Sequence, residues 1–190
     1  MAKQEKFKGS PPSPIFSESS RLLRSRLECL IALEGCLEDE RLVLELHEMR
    51  IASKGLRYSQ ELFSPLYKMH SRWGSEFNAA IKRLKKLQEL LGNIHDADVM
   101  VPCITEQLSS LLKNGFGSNG NGESVAGVRL ADFDSCQGML TLCLEIRNER
   151  EAWFQELLIE WARLKESLFF EKFVILLQNA EEETIEELKK

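Results

Sequence analysis

The sequence predicts an all-α protein, an antiparallel helical bundle of about six helices joined mostly by short connections. Three observations carry that prediction. Apolar residues recur at spacings of three and four nearly throughout, and no stretch alternates with the period of two that a half-buried strand requires. Helix stops punctuate the pattern at Ser64-Pro65, Gly74 and Gly92-Asn93. With 190 residues, 43% hydrophobic and 29% charged, the chain is long enough to bury one substantial core.

The elements follow in order. Residues 1–16 hold lysines and Pro11, Pro12 and Pro14 but no apolar run, so they read as a flexible polar tail and not as a secretory signal. Ser17 to Ser20 offer caps for a first helix that reaches about Leu37 and ends at the acidic junction Glu38-Asp39-Glu40. A second helix should stop near Ser64-Pro65, because proline disfavours helix at the residue before it. A short piece through Trp73, with His70 in a structural role beside the aromatic pair Tyr67 and Trp73, leads to Gly74. A third helix is expected from about Ser75 to Leu91, closed by Gly92-Asn93. A fourth begins near Asp96, with Asp96 and Asp98 as N-caps, and ends around Lys113. Residues 114–131, rich in Gly and Asn, form a mobile loop. A long helix then runs from about Asp134 to the Trp161 region, placing Trp153, Phe154 and Trp161 in core or interface together with Phe169 and Phe170. The last helix spans about Leu168 to Leu177. The helical domain is thus expected over 17–180, with 181–190 as a solvated, frayed acidic tail.

No window of about 18 uninterrupted apolar residues exists, so no membrane contact is expected. Five cysteines with no CxxC pair point to a reducing, cytoplasmic compartment. The seven-residue spacings Cys29/Cys36 and Cys136/Cys143 suggest buried thiols rather than a zinc site. The formal charge is −5, but it is unevenly distributed. Between His47 and Lys86 stand nine Lys or Arg against three acids, which makes this segment +6 and the remainder −11. A focused patch holds a ligand whatever the global charge, while the acidic remainder argues against specific nucleic-acid binding.

Within that segment, His47, Arg50, Lys54 and Arg57 fall inside an arc of roughly 80° at about 100° per residue. Leu44, Ile51 and Leu62 lie to one side of the arc, and Met49, Ala52, Leu56 and Phe63 lie across the helix. Such a helix should be packed on most of its circumference, with its charges facing a groove, where they need an anionic partner. Tyr58 adds a neutral donor, and a histidine adds one that strengthens as the pH falls. On the third helix Lys82, Lys85 and Lys86 cluster opposite the leucines. If the two helices are neighbours, their cationic edges line one furrow. Arginine forks match phosphate oxygens in pairs, and lysine supplies a mobile point charge.

The run Leu46-His47-Glu48-Met49-Arg50-Ile51-Ala52-Ser53-Lys54-Gly55-Leu56-Arg57-Tyr58 resembles the signature helix of the CHAD domain family, approximately His-x-x-Arg-hydrophobic-x-x-Lys/Arg-x-Leu-Arg. The later stretch from Leu84 through Leu91-Gly92-Asn93-Ile94-His95-Asp96-Ala97-Asp98-Val99 is similar to that family's second signature. The good match covers roughly Ser20 to Leu112. The resemblance implies a CHAD-like bundle that binds inorganic polyphosphate in a basic channel, with no cofactor and no established turnover, and no metal is expected. It also implies a location with polyphosphate granules. Carried over by position, the binding residues are His47, Arg50, Lys54 and Arg57, with Lys82 and Lys86 before the second signature and Arg21 and Arg24 as looser contributors. Family members repeat the signature helix in two halves, whereas it occurs once here, and Arg147, Arg150 and Arg163 bring no second His-x-x-Arg. A shortened member, or a homodimer rebuilding the two-fold channel, is the expectation.

The competing readings are a solvated helix face with ordinary ion pairs, and a helical interaction module that docks an acidic partner in the same furrow. Against the first of these, the stripe reads as lacking interleaved acids. Catalysis finds little support: His47-Glu48 opens like HExxH, but Ile51 stands where the second ligand belongs. The CYTH triphosphatases linked to CHAD domains need Glu-x-Glu-x-Lys on a strand, and Glu38-Asp39-Glu40-Arg41-Leu42 has Leu42 in place of the lysine. No P-loop or nucleophile elbow occurs, and the chain is expected not to be an enzyme.

Overall fold

A computed structural model describes residues 13–68, 73–115 and 130–188 of the chain. The described residues form five α-helices: α1 (Ser13–Ile31), α2 (Val43–Lys68), α3 (Gly74–Gly115), α4 (Leu130–Glu166) and α5 (Phe169–Leu188), with a short 3₁₀ turn, Glu34–Glu38, after α1. No strand occurs among them, so the all-α class stands, with five helices in place of six. The residues group into two compact units, Met1–Glu89 with Leu158–Lys190, and Leu90–Leu157.

The missing sixth helix is explained at Gly92. The third and fourth expected helices are one 42-residue helix that passes through Gly92-Asn93 without a break. Buried Leu84, Leu87, Leu91, Ile94 and Ala97 keep the three-and-four spacing across the glycine. An interior glycine costs about 1 kcal/mol against alanine, whereas each buried leucine or isoleucine contributes about 1.5–3 kcal/mol. Burial wins, so Asp96 and Asp98 lie within the helix and cap nothing. Pro102 also sits inside α3 and removes one backbone bond without ending it.

Other boundaries move for similar reasons. Helix α1 begins at Ser13, inside the stretch read as a tail, because Phe16 is fully buried. It closes at Ile31, and after two turn residues Glu34–Glu38 form the 3₁₀ turn. The expected caps Ser19 and Ser20 are fully buried in mid-helix and grip the Tyr67 hydroxyl, 3.2 and 3.1 Å away. Helix α2 continues three residues past Pro65 to Lys68, carrying Tyr67 into the core. There the Tyr67 ring stacks on Phe77 at 4.2 Å between centroids and meets Phe16 edge-on at 5.3 Å. The acidic C-terminal stretch is helical through Leu188. Its first acid, Glu181, is held by Arg24 at 3.2 Å and by the Ser17 hydroxyl at 2.7 Å, so it is no solvated tail residue. The expected loop 114–131 and His70 lie largely or wholly outside the described residues.

Phe154, Trp161, Phe169 and Phe170 are buried as expected, while Trp153 is half-buried. The thiols divide: Cys36 and Cys143 are buried, Cys136 is half-buried, and Cys29 and Cys103 are exposed, all of them free. In the unit formed by Leu90–Leu157, α3 and α4 are tied by Arg150, whose Nε donates to Asp98 Oδ1 at 2.5 Å with both side chains nearly buried.

Candidate functional site

The core seam of α2 is Leu46, Met49, Ser53, Leu56, Gln60, Ser64 and Tyr67, a regular three-and-four repeat with three polar members. Hydrophobicity alone misplaces this seam, and the expectation that α2 is packed on most of its circumference is corrected. Leu44, Ile51 and Leu62 are 77%, 54% and 71% exposed and form an outward apolar row. The basic edge runs between that row and the seam.

On this edge His47, Arg50, Lys54 and Arg57 are all half-buried, so one helix does bring the four together. Tyr58, about half exposed, lies beside them. Its ring takes the Arg57 guanidinium at 4.6 Å and the Lys54 ammonium at 5.6 Å, both as cation–π contacts. Arg57 also ties α2 to α3, its Nε donating to Gln88 Oε1. Its Nη1 donates to Glu61 Oε1 at 2.5 Å. Glu61 follows Arg57 by one turn and falls within the same arc, so the stripe does contain an interleaved acid. Arg50 and Lys54 have no carboxylate within ion-pair distance among the described residues.

Helix α3 meets this edge through Gln88, which sequence reasoning passed over because only tertiary packing reveals it. Lys85, Lys82 and Lys86 are all exposed. They stand about 60°, 120° and 160° around α3 from Gln88, so Lys85 borders the α2 edge and Lys86 lies on the far side. Lys85 stands 3.8 Å from Glu89, with both side chains about two-thirds exposed, a pair of little energetic weight.

On α1, Arg21 is paired with Glu18 at 2.6 Å in full solvent, and Arg24 is committed to Glu181. Arg26, absent from the sequence-predicted set, lies against Gly55. A Cβ there would stand 3.3 Å from Arg26 Nη1, so the glycine lets the guanidinium rest on the signature helix.

Burial sorts the cations. Among the described residues the half-buried ones are Arg24, Arg50, Lys54, Arg57 and Arg150. Carboxylates neutralise Arg24, Arg57 and Arg150, which leaves Arg50 and Lys54, one helical turn apart. No three His, Cys, Asp or Glu side chains gather at metal-binding distance among the described residues.

A helical chain carrying this edge is matched by the family model of the CHAD domain over residues 2–105, a span that holds α1, α2, most of α3 and every sequence-predicted binding residue. The chain belongs to the CHAD domain family. No curated protein and no solved structure matches it.

Proposed function

We propose that the chain is a binding module for inorganic polyphosphate, held along the basic edge of α2 by His47, Arg50, Lys54 and Arg57, with Tyr58 beside them and Lys85 and Lys82 extending the path. The observation that carries this reading is the pair Arg50 and Lys54, half-buried without a carboxylate. A partly desolvated cation lacks both full hydration and an internal counter-charge, so an external anion gains most there. Family membership supports the same ligand. The edge is a row of charges at helical rise, suited to a repeating phosphate and carrying no base-reading group. We propose binding without turnover.

A second reading, docking of an acidic amphipathic partner helix, draws support from the exposed row Leu44, Ile51 and Leu62 beside the cations. Titration with long-chain polyphosphate and with pyrophosphate separates the two. The first reading expects affinity that rises with chain length, weakens steeply with salt, and falls at least tenfold in Arg50→Ala/Lys54→Ala with helicity unchanged. Equal binding of that variant and the parent chain refutes it.

A further inference from the structure

A second site lies between α3 and α5, in the same unit. Arg83 meets Ser167 and Phe169, and Phe77, six residues earlier, meets Phe173 at 5.9 Å between ring centroids, so the two helices run antiparallel. Between them opens a cleft of about 360 Å³, within the range of small-ligand pockets. Its floor is apolar and aromatic, chiefly Trp73, Ala80, Phe169, Phe173 and Leu176.

One end is cationic. Arg83 Nη1 donates to Ser167 Oγ at 3.0 Å and Lys172 Nζ donates to Ser167 O at 2.7 Å. The Ser167 hydroxyl proton is committed to Leu164 O at 3.1 Å, so its oxygen is free to accept from Arg83. Each cation spends one donor on Ser167, which leaves most of the guanidinium and ammonium donors for a ligand. Neither has a carboxylate partner among the described residues. The first turn of α5 begins beside them and adds the positive end of its dipole. The intervening Leu168 is held at φ 52°, a left-handed conformation that costs a leucine energy. That strain sits where the two cations converge. The opposite end, two turns away along both helices, is lined by Glu76 and Asn179, with no cation among the described lining residues.

We propose that this cleft binds a small amphipathic anion, an apolar body carrying one carboxylate or phosphate, with its head between Arg83 and Lys172 and its tail along Phe173 toward Trp73. The site is independent of the α2 edge and of the polyphosphate reading.

The test is titration of the full chain with anilinonaphthalene sulfonate, followed by displacement with decanoate, decanol or inorganic phosphate. The expected result is saturable binding displaced by decanoate alone. Arg83→Gln/Lys172→Gln should weaken it at least tenfold, and Ala79→Trp, which fills the cleft from an exposed position, should abolish it. Arg50→Ala/Lys54→Ala should leave it unchanged. Displacement by decanol or phosphate as effective as by decanoate, or a loss below tenfold in the double glutamine variant with native helicity, overturns the proposal.

Discussion

Glu61→Gln isolates the one acid that interrupts the basic edge of α2. The parent side chain holds Arg57 at 2.5 Å while 46% exposed. Arg57 is half-buried but its carboxylate partner faces solvent, so this i,i+4 pair contributes about 0.5 kcal/mol to stability and the substitution should lower the unfolding free energy by about that much. The effect on ligand binding should be larger and of opposite sign. In the parent chain Arg57 must leave its carboxylate before it takes a phosphate, at about 0.5 kcal/mol. A bound phosphate about 8 Å from Glu61 also feels a repulsion of roughly 0.5 kcal/mol at the dielectric of water. Together these come to about 1 kcal/mol, roughly fivefold tighter binding of long-chain polyphosphate. One more cation available to the polymer should also steepen the dependence of log affinity on log salt by about 0.7–0.9. Isothermal titration at three salt concentrations measures both quantities. An affinity within twofold of the parent chain and an unaltered salt slope would make Arg57 a tie between α2 and α3 through Gln88, and not part of a ligand path.

Three other outcomes are expected. Arg150→Leu should cost about 3 kcal/mol in urea unfolding, because it strands the nearly buried carboxylate of Asp98; a loss below 1 kcal/mol would contradict that. Glu34 is held below the usual carboxylate range by hydrogen bonds from Lys165 and then from Trp161. Its contribution is therefore present above the ordinary glutamate pKa and lost as pH falls through the depressed one. Because the pair is about half exposed, Glu34→Gln should lower stability at pH 7 by at most about 1 kcal/mol and by less at pH 3; an equal loss at both pH values would refute the linkage. The Cys36 thiol is pushed up to about 11, first by burial and then by the charge of Glu45. Ellman's reagent at pH 8 should react first with exposed Cys29 and Cys103, so a fast thiol lost in Cys36→Ser would count against it.

Much of this was legible in the residues. The helical period gave the class, and the cations at 47, 50, 54 and 57 share an edge because spacings of three and four allow little else. The failures share a cause. Apolarity was used as the marker of burial, but α2 buries Ser53, Gln60 and Ser64 and exposes Leu44, Ile51 and Leu62. Small or flexible polar residues fit the seam by shape, and periodicity in apolar residues does not register them. Gly92 was weighed as a local stop, whereas the burial of Leu91, Ile94 and Ala97 decided the outcome. Glu61 falls four residues after Arg57, inside the arc, but the segment's net charge does not reveal that position. Gln88 and the cleft beside Phe169 depend on which helices become neighbours, and no one-dimensional pattern carries that.

Net charge sharpens the case for the α2 edge. The chain carries 30 acids against 25 lysines and arginines, so a cation that needs a carboxylate has an excess to choose from. Exposed cations need none, since water solvates them. Half-buried ones do, and Arg24, Arg57 and Arg150 have each taken one. Among the described residues Arg50 and Lys54 have none, within a fold rich in acids. At physiological salt a charge is screened over about 8 Å, so the acidic remainder of the chain barely weakens a polyanion seated on the edge, and each cation holds only the phosphate groups next to it. The arrangement thus favours a ligand that docks along several contacts at once and leaves slowly. A repeating phosphate chain meets that requirement, and a single phosphate does not.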